Sequence, residues 1–139
     1  MPYPGTISKV ADDLQDALLT LGFIVHRYDA HSTNSVYLKL DCGLCNSIRI
    51  SDHGGKKKLS YRYNVIMNCE KIHIDKSGKY PRRFYPVSKI KGMIMHIVEA
   101  RENKIRRYGL EGYGHKVEEY RRAGAREKGF WQKAREVKV

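Results

Sequence analysis

The clearest strand pattern in the chain is residues 34–41, which read NSVYLKLD. A valine and two leucines occupy every second position and alternate with Tyr37 and Lys39. Successive side chains of a β-strand point to opposite faces of a sheet, so this period of two indicates a strand with one apolar face. We therefore expect the aliphatic side chains in a core, with Tyr37 and Lys39 on a face that meets solvent.

Similar short patterns lie on both sides of this stretch. Arg49 lies between two isoleucines, and Arg62 lies on the polar side of an alternating pattern over residues 59–67. Other short runs rich in aromatic or β-branched residues are 23–28, 72–74 and 84–85. Short strands separated by turns are typical of an antiparallel meander. The sequence therefore predicts an antiparallel sheet of roughly four to five strands.

Two helices complete the predicted fold. Residues 7–21 place apolar side chains three and four positions apart, and Gly22 follows as a C-terminal cap. Ser88 is a suitable N-cap for a second helix, in which apolar residues from Ile90 to Ile105 form one stripe. An antiparallel sheet packed against an N-terminal helix and a following helix is an α+β fold of two layers.

Beyond Tyr108, glycines interrupt the chain and apolar residues become sparse. We therefore expect residues 1–108 to form the α+β domain, and residues 109–139 to form a basic, glycine-interrupted helical extension. Within that extension, residues 115–137 are predicted to be a loosely attached basic helix that becomes ordered on a partner.

The charge of the chain is large and unevenly distributed. The chain has 139 residues and a net charge of +12. Residues 49–91 hold twelve basic and three acidic residues, and residues 101–139 hold twelve and six, whereas residues 1–48 are slightly acidic. This one-sided excess predicts a polyanionic partner, with nucleic acid or a nucleoprotein as the first choice. The other interpretation is charge that serves solubility only.

The composition also bears on the compartment. No apolar run approaches the roughly 18 residues that span a bilayer, and the N-terminus lacks the pattern of a secretory signal. The cysteines number three, and an odd number argues against a disulfide scaffold. We therefore expect a cytoplasmic protein without a membrane segment. The sequence leaves the oligomeric state open.

The first predicted site is the polar face of the sheet with its flanking loops. Arginine guanidinium groups suit phosphate, lysines supply diffuse attraction, and Tyr37, Tyr80 and Tyr85 are available to stack on bases. The predicted contacts of this surface are Lys39, Arg49, Lys56, Lys57, Lys58, Arg62, Arg82 and Arg83. The alternative is a solvated sheet face without a partner.

The second predicted site is the basic C-terminal segment. An arginine-rich segment that folds on RNA, or in the groove of a nucleoprotein, has this composition. Its predicted contacts are Arg106, Arg107, Arg121, Arg122, Arg126 and Trp131. The alternative is a solvated amphipathic helix whose tryptophan packs on the domain.

Cysteine spacing raises the question of a metal site. Cys42 and Cys45 form a Cys-x-x-Cys pair on a predicted turn, where zinc knuckles occur, and Cys69 with His73 would complete a Cys₃His set. The alternative, which we favour, is ordinary turn and core cysteines, so that no cofactor is expected.

Catalysis finds little support in the sequence. Acidic residues are scarce in the basic half of the chain, whereas a metal-dependent nuclease needs two or three carboxylates around a cation. The residues do not suggest a serine or cysteine triad either. We therefore predict a binding protein that is not an enzyme, with a metal-dependent nuclease as the less favoured alternative.

Three stretches give the chain a resemblance to a known family, namely residues 32–37 (STNSVY), residues 48–53 (IRISDH) and residues 61–64 (YRYN). They resemble small basic proteins of Gram-positive phages and mobile elements, and among these the broad-spectrum type II-A anti-CRISPR proteins, which inhibit Cas9. The likeness covers residues 10–105, although the Cys-x-x-Cys turn is not part of the family's pattern.

The resemblance implies a phage or mobile-element protein that acts in the bacterial cytoplasm and inhibits an RNA-guided nuclease of the Cas9 type. It implies that the partner is the nuclease complex or its guide RNA, bound through a basic surface. The residues themselves leave a second function open, which is a stand-alone DNA- or RNA-binding accessory or regulatory protein.

Overall fold

The computed structural model describes residues 7–30, 35–52, 62–67, 70–76, 81–124 and 133–137. These residues form an α+β fold in which a mixed sheet packs against two helices. In chain order the elements are α1 (Ile7–Thr20), β1 (Val25–Asp29), β2 (Val36–Leu40), β3 (Ser47–Ser51), β4 (Tyr63–Ile66), β5 (His73–Asp75), β6 (Arg82–Pro86), α2 (Ile90–Gly124) and β7 (Arg135–Glu136). Two 3₁₀ turns, Asp41–Gly43 and Val87–Lys89, precede β3 and α2. The predicted α+β class is confirmed.

Helix α1 forms where the apolar spacing predicted it. Val10, Leu14 and Leu18 lie on one face of the helix and are buried in the core. After the helix, Gly22 has a φ of 86°, in the left-handed region that glycine adopts without strain. The helix therefore ends where the sequence supplies its cap.

The sheet has the order β5-β6-β4-β3-β2-β1-β7 within the described residues. Strands β1, β2 and β3 pair antiparallel, as predicted, but β4 pairs parallel with both β3 and β6. The sheet is therefore mixed, and it has more strands than the four to five that the sequence predicted. Side chains alternate in parallel and antiparallel strands alike, so the pattern could not reveal the direction of pairing.

The central strands are buried on both faces. The face that carries Leu38 and Ile48 forms the apolar core with the two helices. On the opposite face, Arg49 is 2% exposed, Lys39 is 8% exposed and Tyr37 is buried as well. The prediction that this face meets solvent at these positions is wrong, because alternation shows which residues share a face but not whether the face is covered.

Helix α2 is broken at Gly109, where φ is 76° and ψ is 161°. Beyond the break, Tyr113 and Val117 lie one turn apart and are both buried in the core. This second part of the helix is therefore packed on the domain, which differs from the loose attachment that the sequence predicted. No helix in the described part of the chain combines the length and the apolar character that crossing a membrane requires.

The end of α2 also differs from the prediction. The described part of α2 extends to Gly124, and residues 135–136 form β7, which pairs antiparallel with β1, so the predicted helix does not continue to residue 137. The break at Gly109 coincides with the predicted start of the C-terminal extension, and the division of the chain into residues 1–108 and 109–139 stays a prediction.

Candidate nucleic-acid interface

Parallel pairing of β4 with β6 brings two of the predicted arginines together. Tyr63 of β4 lies opposite Arg83 of β6 in the register of the sheet. The backbone N–H of Arg83 donates a hydrogen bond of 2.8 Å to the carbonyl of Arg62. Arg62 and Arg83 are 21 positions apart in the sequence, so only the folded sheet makes them neighbours.

Helix α2 adds a histidine to these arginines. The imidazole of His96 lies edge-on to the Tyr63 ring, with 5.9 Å between ring centroids. Burial lowers the pKa of His96, the charges of Arg83 and Arg62 lower it further, and Glu99 opposes them. Tyr63, Arg83 and His96 lie on one face of the sheet, and the charge of Arg62 also acts on the imidazole, so these four residues are here called the His96 cluster.

The members of the His96 cluster differ in exposure. Arg62 is exposed, Arg83 and His96 are half-buried, and Tyr63 is fully buried. Burial raises the pKa of Tyr63, while the two arginines oppose this shift, so the phenol is neutral at pH 7. The accessible surface of the cluster is therefore cationic, and a buried aromatic ring lies beneath it.

The two neighbouring arginines of β6 have different surroundings. Arg82 forms an ion pair with Asp75 of the adjacent strand β5. Arg83 points to the other face of the sheet, and within the described residues no carboxylate lies in ion-pair distance of it. A guanidinium without a carboxylate partner keeps its paired N–H donors for a phosphate or another planar anion.

Two other residues of the first predicted site do not lie on this surface. The Arg49 guanidinium donates a hydrogen bond of 3.1 Å to Ser51 Oγ inside the sheet. The aliphatic part of Lys39 packs beside Gly43 together with the Tyr120 ring. Both side chains are buried, so the prediction that they are surface contacts is corrected: Arg49 and Lys39 are part of the interior of the fold. Lys56, Lys57, Lys58 and Tyr80 lie outside the described residues.

The structure separates the residues of the second predicted site. Arg121 donates a hydrogen bond of 2.7 Å to Glu136 and so connects α2 to β7. Arg106 pairs with Asn103, while Arg107 lies 5.7 Å from the centroid of the Tyr108 ring. Arg122 is exposed on the last turns of α2. Arg126 and Trp131 lie outside the described residues.

The four residues of the possible zinc set do not come together in the described structure. Cys42 and Cys45 are buried at the turn between β2 and β3, whereas His73 lies on the edge strand β5. Strands β3 and β5 are three positions apart in the sheet, which is about 14 Å at the usual strand spacing. Cys69 lies outside the described residues, and no group of three or more metal-ligating residues exists in the part that is described.

A buried network at the same turn was not predicted. Asp41 Oδ1 accepts a hydrogen bond of 2.9 Å from the backbone N–H of Ile24, and Oδ2 accepts one from the Tyr113 hydroxyl. Arg101 Nε lies 3.1 Å from Oδ2, and its terminal nitrogens donate to the carbonyls of Leu21 and Gly22 after α1. The network therefore joins α1, the turn and both parts of α2.

This network has the properties of a structural connection. Asp41 is 1% exposed, and the adjacent Cys45 thiol is also buried, which raises its pKa to about 11. A thiol of that kind is protonated and unreactive at neutral pH. By fixing Arg101 and Tyr113, the network positions the helix that carries His96. Nothing in the sequence marked His96 or Tyr113 for these positions, because both arise from long-range packing.

Comparisons with protein families, with curated proteins and with solved structures find no match to this chain. The function is therefore inferred from the chain's own side chains and charge. The resemblance to anti-CRISPR proteins stays a prediction.

Proposed function

We propose that this protein is a non-enzymatic nucleic-acid or nucleoprotein-binding protein, and that it contacts phosphate through the His96 cluster. The observation that supports the proposal is that His96 packs on Tyr63, whose neighbour in the sheet is Arg83, while the charges of Arg83 and Arg62 both act on the imidazole. Guanidinium groups bind phosphate through paired hydrogen bonds, and a neighbouring imidazole adds another donor. The His96 cluster therefore offers donors of the kind that a phosphate backbone needs.

The overall charge favours the same type of partner. A net charge of +12 attracts a polyanion from a distance, and the local cluster then supplies directed contacts. Binding of this type weakens steeply with salt, because each neutralised phosphate releases counterions. The same charge argues against imitation of DNA by an acidic surface, since basic residues outnumber acidic ones by 27 to 15.

For the particular partner, the sequence resemblance suggests a Cas9-type nuclease with its guide RNA in the bacterial cytoplasm. Such a complex exposes guide-RNA phosphate and a path for DNA, and a basic domain can block either one by contact and bulk. We therefore propose inhibition of an RNA-guided nuclease as the specific function. Stand-alone DNA or RNA binding is the second candidate, since the same cationic surface supports it.

The test is a titration of Cas9–guide DNA cleavage with this protein, in the presence and absence of excess random RNA. A specific inhibitor abolishes cleavage near one-to-one stoichiometry, and the competitor RNA leaves its inhibition intact. Inhibition that needs a large excess and disappears with competitor RNA identifies the general nucleic-acid binder. A protein that neither inhibits nor binds RNA or DNA in a mobility-shift assay contradicts the proposed function.

Variants of neighbouring arginines show whether the His96 cluster is the contact. Arg83→Gln and Arg82→Gln each remove one positive charge from β6, but Arg82 is already paired with Asp75 and lies on the other face. We expect Arg83→Gln to weaken binding about 10-fold, as for the loss of one charge-assisted contact, and Arg82→Gln to change it less. Equal effects of the two variants would mean that only net charge matters.

A further inference from the structure

The break in α2 creates an exposed surface, here called the elbow, which consists of Arg107, Tyr108, Leu110 and Lys116. Leu110 is 77% exposed and Tyr108 is 37% exposed. Lys116 Nζ lies 5.0 Å from the centroid of the Tyr108 ring, and the Arg107 guanidinium lies 5.7 Å from it. The elbow thus combines two cations, an aromatic ring and an exposed aliphatic side chain.

The non-helical backbone of Gly109 brings these groups together. In an unbroken helix, Tyr108 and Lys116 would be about 12 Å apart along the axis, at 1.5 Å per residue. Here the Lys116 ammonium instead contacts the Tyr108 ring across the break. A cation held against an aromatic ring loses part of its mobility, so less entropy is lost when it binds an anion.

The elbow lies in line with the His96 cluster on the surface of α2. His96 and Arg107 are eleven residues apart, which in an α-helix is about 17 Å along the axis and within about 20° of the same face. Asn103, which lies between them on that face, is exposed. The ridge of α2 that contains Asn103 therefore leads from His96, with its neighbouring arginines, to Arg107 at the elbow.

We propose that this ridge is a track for one single-stranded nucleic-acid segment. The His96 cluster holds phosphate at one end, Arg107 and Lys116 hold phosphate at the other, and Leu110 with the Tyr108 ring contacts an unstacked base. The proposal rests on the proposed function and deepens it by naming the form of nucleic acid. At the roughly 3.4 Å per nucleotide of a stacked strand, the ridge corresponds to about five nucleotides, and a more extended single strand covers it with fewer.

The apolar part of the elbow favours a single strand over a duplex. In a duplex the faces of the bases are stacked on one another, whereas a single strand can place a base on an apolar side chain. The cations of the elbow are complementary to phosphate in either form, so they contribute affinity without selecting between the two. Leu110 and Tyr108 therefore supply the selectivity for a single strand.

The test is fluorescence anisotropy of the full chain with labelled oligonucleotides of about ten nucleotides, long enough to cover the ridge at 3.4 Å per step. The probes are a uridine oligonucleotide, a thymidine oligonucleotide, an abasic strand of equal length and a duplex. We expect both single strands with bases to bind at least about 10-fold more tightly than the abasic strand, because the abasic strand lacks the base contact. A comparison of the affinities for the uridine and the thymidine oligonucleotide shows whether the protein prefers RNA or DNA.

Leu110→Ser removes the apolar contact without changing charge, and Met95→Ser is its matched control. Met95 is 72% exposed on the same helix but is turned about 100° from His96. We expect Leu110→Ser to weaken binding of the base-bearing strands about fivefold and to leave the abasic strand unaffected, whereas Met95→Ser changes neither. Lys116→Gln should lower the salt slope of single-strand binding by about 0.7.

The outcomes separate the two proposals. Equal binding of all probes, with Arg83→Gln weakening each of them and Leu110→Ser none, overturns the track but leaves the proposed phosphate contact intact. Failure of every probe to bind, in a protein that still inhibits the nuclease, overturns the track and leaves the proposed function intact. Failure to bind any probe together with failure to inhibit the nuclease contradicts both proposals. Loss of nuclease inhibition by Leu110→Ser without any change in oligonucleotide binding means that the elbow contacts protein, which also overturns the track.

Discussion

The Tyr113 hydroxyl donates a hydrogen bond to the buried carboxylate of Asp41, 72 positions earlier in the chain. Cys45 Sγ lies 2.8 Å from the same hydroxyl, and Arg101 Nε lies 3.1 Å from the same carboxylate oxygen. Arg101 belongs to the first part of α2 and Tyr113 to the second. The Asp41 carboxylate therefore fixes both parts of the helix on which the His96 cluster and the elbow depend.

Tyr113→Phe should destabilise the fold by about 1–3 kcal/mol, because a buried carboxylate loses a hydrogen-bond donor that water cannot replace. The measurement is urea unfolding followed by circular dichroism. Tyr120→Phe is the control, since Tyr120 is exposed and the same hydroxyl is removed. If both variants lost an equally small amount of unfolding free energy, the Tyr113 hydroxyl would not contribute to the stability of the fold.

Two glycines of α2 should respond to alanine with opposite signs. Gly109 has a φ of 76° and a ψ of 161°, a conformation essentially restricted to glycine, so Gly109→Ala should cost about 1–3 kcal/mol. Gly114 lies in regular helix with open space at its Cβ position, so Gly114→Ala should stabilise by about 0.5–1 kcal/mol. Thermal unfolding of the two variants measures both effects. If Gly109→Ala instead raised the stability, the break at Gly109 would not be required, and a continuous α2 would be the more stable form.

Local pattern predicted the elements of this fold better than their arrangement. The spacing of Val10, Leu14 and Leu18 was enough to predict α1, because helix periodicity depends on nearby residues. The parallel register that brings Arg62 next to Arg83 depends on connections between strands, which alternation does not encode. The candidate site could therefore be predicted as a set of basic residues, but not as a cluster.

Burial of the second sheet face was the other feature that the sequence concealed. Arg49 and Lys39 alternate with aliphatic residues as surface residues do, yet both are buried. His96 gave no signal, because a histidine on a helix is ordinary until the sheet places Tyr63 and Arg83 beside it. These positions are determined by tertiary packing, which overrides the local pattern.

Charge reversal at Arg49 should unfold the protein instead of testing a surface contact. Arg49→Glu places a carboxylate without a positively charged partner at a residue that is 2% exposed, and an uncompensated buried charge costs about 3–5 kcal/mol. Arg62→Glu changes an exposed residue and should cost no more than about 0.5 kcal/mol. Urea unfolding compares the two variants. Equal stability of both would contradict the buried position of Arg49.

The Cys45 thiol should be protected from alkylation in the folded protein. Its pKa is raised to about 11, so its thiolate fraction at pH 8 is about 200-fold below that of an ordinary cysteine. The measurement is the rate of labelling in a Cys42→Ser/Cys69→Ser variant, in which Cys45 is the only cysteine of the sequence. The same variant unfolded in urea provides the control. Rapid labelling of the folded variant would contradict the closed network around Asp41.

Nucleic-acid binding by the His96 cluster should strengthen as the pH falls below 7. Burial, Arg83 and Arg62 hold the pKa of His96 below its usual 6.5, with Glu99 opposing, so the imidazole of the free protein is neutral at pH 7. A bound phosphate favours the imidazolium and raises that pKa, so binding takes up a proton. At pH values between the pKa of His96 in the complex and its pKa in the free protein, the affinity should increase by up to about tenfold for each unit by which the pH falls.

The measurement is the Kd for a single-stranded oligonucleotide between pH 7.5 and 5.5, at constant ionic strength. The lowered pKa also removes some stability as the pH falls through it, so circular dichroism at each pH verifies that the protein stays folded. His96→Gln should flatten the profile, whereas His115→Gln should preserve it, because the exposed His115 faces Glu111 on another part of α2. A profile that is equally steep in the His96→Gln variant would assign the proton uptake to another group, and the phosphate would then not lie at His96.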